Sequence, residues 1–69
     1  MNFIRALFSS RQTELINLKN IEGAVIREKE IIIVGVTGRE YYYSNDPKMR
    51  NYIINFGEVE QILLNFFKE

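Results

Sequence analysis

The chain has 69 residues, 46% of them hydrophobic and 13% aromatic, with four glycines and one proline, a folding composition that excludes intrinsic disorder. Nine Lys plus Arg balance nine Asp plus Glu, which excludes a net field able to draw in a polyanion or a membrane surface from a distance. Neither cysteine nor histidine occurs, which excludes disulfide staples, thiol chemistry and imidazole as a base or metal ligand.

A chain of this length makes one small domain, residues 1–69, near the lower limit of what folds without staples. Ordering it costs on the order of 100 kcal/mol at ~1.5 kcal/mol per residue. The apolar core must offset that, and help from a second copy is expected. Abundant Ile, Asn, Lys, Glu, Phe and Tyr are what AT-rich codons produce, so the expected source is a low-GC bacterium or one of its phages.

In chain order, Phe3, Ile4, Leu7 and Phe8 recur at helical spacing with Arg5 opposite, which predicts two turns of amphipathic helix in MNFIRALF. The same eight residues lack a cleavage site and a long apolar run, so they are expected to be neither a signal peptide nor a membrane span, and the protein to be cytoplasmic. Ser9 with Gln12 three residues on matches a capping box and predicts a second helical stretch towards Leu15, Ile16 and Leu18. A strand from Leu15 to Ile21 is the alternative.

From Ile21 onward three segments rich in β-branched and aromatic residues follow, IEGAVIR, EIIIVGV and REYYYS. They predict an antiparallel meander. Glu28-Lys29 makes its first turn without glycine, and Thr37-Gly38 its second with a residue free to take positive φ. Gly35-Val36-Thr37-Gly38 has GxxG spacing that resembles the backbone-clamping loop of KH domains over four residues. There it joins helices, whereas here it leaves an aliphatic run and enters three tyrosines, so it reads as a hairpin turn. The middle strand is apolar on both faces, as expected for a central strand or one packed on another protomer.

Asn45-Asp46-Pro47 supports two readings. Asp46 could cap a helix that begins at Pro47 and carries Met49, Tyr52, Ile53 and Phe56 on one stripe up to Gly57, and the balance leans to this helix. Alternatively Asp46-Pro47 opens a type I turn, and Asn51 to Phe56 is a fourth strand with Tyr52, Ile54 and Phe56 facing inward. The last segment places Glu58 and Glu60 in a first turn and Lys68 in a last one, with Val59, Ile62, Leu63, Phe66 and Phe67 between. It predicts a helix whose apolar face spans about 140°, with Leu64 outside the stripe. That face is wider than one flat sheet covers, and a partner is expected.

The expected fold class is therefore α+β: a three-stranded or four-stranded antiparallel meander with an N-terminal helical segment and one or two C-terminal helices packed on one face. Glu28 with Glu30, and Glu58 with Glu60, read as solvated carboxylates and not as a catalytic pair. Asp46 stands without the oxygen cluster of a calcium or magnesium loop. No catalytic residue, cofactor or metal site is expected.

In a strand, Tyr41 and Tyr43 share one face and Tyr42 takes the other. Two functional expectations follow. One is a non-enzymatic protein-binding module, a homodimer with Tyr42, Leu64 and Phe67 as its contact surface, expected to be a phage or mobile-element protein that modulates or inhibits a host factor. The other is a small nucleic-acid-binding domain in which Tyr41 and Tyr43 stack on bases beside Arg39, Lys48 and Arg50. No membrane contact is expected, because MNFIRALF carries a single charge and is too short for a strong anchor.

Overall fold

The computed structural model describes residues 3–68. Strand β1 (Phe3–Leu7) pairs antiparallel with β2 (Thr13–Asn17), a single 3-10 turn follows at Leu18–Asn20, and β3 (Ile21–Ile26), β4 (Glu30–Gly35) and β5 (Glu40–Ser44) form a second antiparallel sheet in that order. One helix, α1 (Phe56–Phe66), closes the described chain.

The expected N-terminal helix is a strand, and Met1 and Asn2 of the predicted segment lie outside the described residues. Ile4 and Ala6 point into the core while Phe3 and Arg5 face solvent, so the segment follows a period of two. A window this short fits both periods, and pairing with β2 decides between them by burying Ile4 against Ile16. The capping box is likewise a hairpin loop. The Phe8 N–H donates to Gln12 and the Arg11 N–H to Phe8, at 2.9 and 3.0 Å, and Arg11 takes φ 75°. This is a three-residue loop closed by a left-handed residue. The alternative strand at Leu15–Ile21 is nearer the truth but is split by the 3-10 turn.

The meander forms as its sequence predicts. The Arg27 N–H donates to Glu30 across Glu28-Lys29 at 2.8 Å, and Gly38 adopts φ 89° in the second turn. Inward residues alternate along β4 and β5, with Ile31, Ile33 and Tyr43 buried. In β3 the ladder slips between Ile21 and Gly23, a bulge that keeps Ile21 and Ala24 both on the inner side.

Residues 47–56 are neither of the predicted elements. The turn at Asp46-Pro47 is present, with the Met49 N–H donating to Asp46 O at 3.0 Å and the Lys48 N–H to Asp46 Oδ1 at 3.0 Å. No helix follows it. Residues 51–54 instead slot between the two sheets: Ser44 exchanges bonds with Asn51 and Ile53, and the Ile54 N–H donates to Leu7 O at 2.9 Å. Only two isolated bridges result, Phe8 with Ile53 and Ser44 with Tyr52, so this link is too short to count as a strand. Its phase is opposite to the strand reading, because Ile53 is 0% exposed and Ile54 60%. Gly57, expected to end a helix, lies inside α1.

The resulting order across the molecule is β2, β1, the 51–54 link, β5, β4, β3. Helix α1 packs most closely on β1 and buries Phe56, Val59 and Leu63 in one core with Ile4, Ile31, Ile33 and Ile53. Among the described residues no helix is long and apolar enough to cross a membrane.

Candidate functional site

The three tyrosines divide as strand geometry requires. Tyr43 is 1% exposed and Tyr42 46%. Tyr43 crosses the core from β5, tilts against Phe8 with ring centroids 6.0 Å apart, and donates its hydroxyl to Glu14 Oε1 on β2 at 2.6 Å. Burial first, and then the carboxylate of Glu14, push the Tyr43 hydroxyl far above the ordinary tyrosine range. The ring therefore joins the two sheets and is not available for stacking on a base.

This placement has a pH signature. A folded-state pKa above the unfolded value gives stability that is complete below about pH 10 and declines as pH rises beyond it, by up to ~1.4 kcal/mol per unit. Tyr43→Phe should cost about 1.5–3 kcal/mol at pH 7 through the lost charge-assisted bond. The gap to wild type should then narrow by roughly 1.4 kcal/mol at pH 11, because the unfolded variant has no Tyr43 hydroxyl to ionise. Urea unfolding at the two pH values measures this, and an unchanged gap would show that Tyr43 is not held neutral.

Arg39 and Tyr41 are together. The Arg39 guanidinium lies over the Tyr41 ring, 4.7 Å from its centroid, and its Nη2 is 3.7 Å from Glu14 Oε2. One face of Tyr41 is thus covered from within the chain. Lys48 and Arg50 are exposed, but they follow the Ser44 end of β5, whereas Arg39 precedes Glu40. At ~3.3 Å per residue the strand separates them by roughly 15 Å. The cations expected to form one groove stand at opposite ends of the strand.

Tyr42 lies on the outer face of the second sheet. The register places Val25, Ile32 and Tyr42 side by side across β3, β4 and β5, with Gly23, Val34 and Glu40 in the next row. Val25 and Tyr42 are exposed, and Ile32 and Val34 are partly so. The Tyr42 hydroxyl donates to Glu40, and that bond, with the charges of Glu40 and Glu30, raises its pKa. This exposed tyrosine is apolar in its body and ringed by carboxylates at its tip, an arrangement that repels a phosphate backbone.

Leu64 and Phe67 do not join Tyr42. They sit at the exposed end of α1, where with Gly23, Ala24 and Ile26 they line a groove of about 470 Å³ along the free edge of β3. Phe66 meets Phe67 edge to face, with centroids 5.0 Å apart. Tyr42 marks the outer side of the sheet, and the helix end marks the groove beside its β3 edge. Val25 stands at the boundary of the two, and sequence reasoning missed it because the parity of GAVI is set by the bulge at Glu22 and Gly23. The exposed row was legible in one respect: a middle strand apolar at Ile31, Ile32, Ile33 and Val34 needs cover on both faces. Comparison of the chain with protein families, curated proteins and solved structures finds no match.

Proposed function

We propose that the chain is a non-enzymatic protein-binding module. The observation that supports this reading best is the uncovered row Val25–Ile32–Tyr42 on the outer face of the sheet, with a separate groove beside the β3 edge lined by Leu64 and Phe67. Contiguous apolar surface of this kind mostly serves an interface, and an aromatic ring with a polar tip is well suited to one. In the low-GC bacterial or phage setting suggested by the composition, the proposed role is to occupy a surface of a host factor and so modulate it. The nucleic-acid alternative has less support, since Tyr43 is spent on the core and carboxylates flank the exposed Tyr42.

The test pairs sedimentation velocity over a wide concentration range with affinity capture, comparing wild type with Tyr42→Ala and Leu64→Ser. Both variants should keep the wild-type stability to within about 0.5 kcal/mol, since neither side chain is in the core. Both should weaken an association that wild type shows, with itself or with a specific protein. A wild type that is strictly monomeric, and retains nothing sensitive to these substitutions, would end the reading.

A further inference from the structure

The link at 51–54 hydrogen-bonds to β5 on one side and to β1 on the other, so among the described residues the sheet edges left free are those of β2 and β3. On β3 the direction of each backbone group follows from the closing bond of the hairpin. Arg27 bonds to Glu30, hence Val25 bonds inward to Ile32, and the N–H and C=O groups of Ala24 and Ile26 point away from β4. These outward groups are arranged symmetrically about Val25. Beneath them runs the groove lined by Leu64 and Phe67.

We propose that the occupant of this edge is a second copy of the chain, docked about a two-fold axis through Val25, with β3 antiparallel to the partner's β3. The proposal rests on the protein-binding reading and names the partner of that same surface. In this register Ala24 faces the partner's Ile26 and Ile26 faces the partner's Ala24, so every outward-pointing group of both residues is paired, giving four hydrogen bonds. Opposed residues lie on the same side of the joined sheet, as pleating requires. Val25 packs on the partner's Val25 at a close, non-hydrogen-bonded position, and the row Val25–Ile32–Tyr42 runs on into its symmetry mate. On the other side the two helix ends converge, and each groove is filled by apolar residues of both copies.

Space agrees with that register: the partner's Arg27 falls opposite Gly23, where an added Cβ would meet nothing within 4 Å. Glu22 then faces the partner's Glu28, and the partner's Arg27 beside them, itself 3.3 Å from its own Glu30, offsets that like-charge pair at each end of the joined strands. A shift by two residues in either direction leaves an outward group of Ala24 or Ile26 facing bulged or turn backbone.

The chain has no cysteine, so a single introduced one reports the geometry cleanly. Val25→Cys should cross-link to twice the 8.2 kDa protomer mass on mild oxidation, because an antiparallel non-hydrogen-bonded pair stands at disulfide distance. Tyr42→Cys, on the same face but two strands from the edge, should cross-link far less. Val25→Lys sets two like charges across the axis and should convert a wild-type dimer into a monomer with its circular dichroism unchanged. Equal cross-linking of the two cysteine variants, or a wild type that stays monomeric, would overturn the pairing. A monomer that still holds another protein through Tyr42 or Leu64 would overturn it while leaving the protein-binding reading in place.

Discussion

Replacing Asn55 with alanine is expected to cost about 2–4 kcal/mol, because three partners are lost at once and two of them are backbone groups of β1. The Leu7 N–H donates to Asn55 Oδ1 at 3.0 Å, and Asn55 Nδ2 donates to Arg5 O at 2.7 Å and to Glu58 Oε1 at 3.2 Å. The side-chain amide thus supplies a donor and an acceptor where the 51–54 link runs out of backbone to offer β1. It occupies the position before α1 without capping the helix, since its oxygen is committed elsewhere. Asn55→Asp should fare no better than alanine: it keeps the acceptor for Leu7 but sets a carboxylate oxygen against the Arg5 carbonyl. Asn17→Ala, which removes one exposed bond to Lys19 N, serves as the control and should cost less than about 1 kcal/mol. Urea denaturation followed by circular dichroism measures all three. An Asn55→Ala variant within 0.5 kcal/mol of wild type, by the usual size of a neutral surface change, would show that the clamp is dispensable.

The second large effect separates adjacent isoleucines. Ile53→Ala should cost about 2–5 kcal/mol by opening a cavity between the two sheets and α1. Ile54→Ala should stay within about 0.5 kcal/mol of wild type, as its side chain is largely in solvent. A chain of this size has roughly 3–10 kcal/mol of total stability at 0.05–0.15 kcal/mol per residue, so Ile53→Ala could leave it largely unfolded at 25 °C. Equal losses at the two positions would mean that the link does not hold the phase described.

That pair also shows where the sequence is legible and where it is not. The meander could be read because each strand is bounded by a recognisable break and its β-branched run admits only one period. The alternation of Tyr41, Tyr42 and Tyr43, and the helix over Val59–Leu63, follow from the same arithmetic. In Tyr52-Ile53-Ile54-Asn55-Phe56 apolar residues stand next to each other, so neither phase nor period is written in the pattern. The bonds of Ser44 with Asn51 and Ile53, and of the Ile54 N–H to Leu7 O, set the phase, and those are tertiary matters. The first eight residues failed for a related reason: Ile4 and Ala6 are core only once β2 is beside them. Of the proposed contact surface, Tyr42, Leu64 and Phe67 are visible in the sequence as surplus apolar residues. Val25 and the free edge were not, because an edge is a property of strand order and not of residues.

The link at 51–54 bears on the time course of folding as well as on its end state. The β1–β2 hairpin and the β3–β5 meander each close through short loops, so both can form early from local contacts. Their union waits for Ile53, Asn55 and Val59, whose bonds and contacts to β1 span separations such as the 48 residues between Leu7 and Asn55. The expected rate-limiting event is the arrival of this segment between two preformed halves. Until it docks, the facing edges of β1 and β5 lie open. Substitutions at residues 53–59 are therefore expected to govern how long those edges stay exposed to aggregation, a liability distinct from their effect on the finished fold.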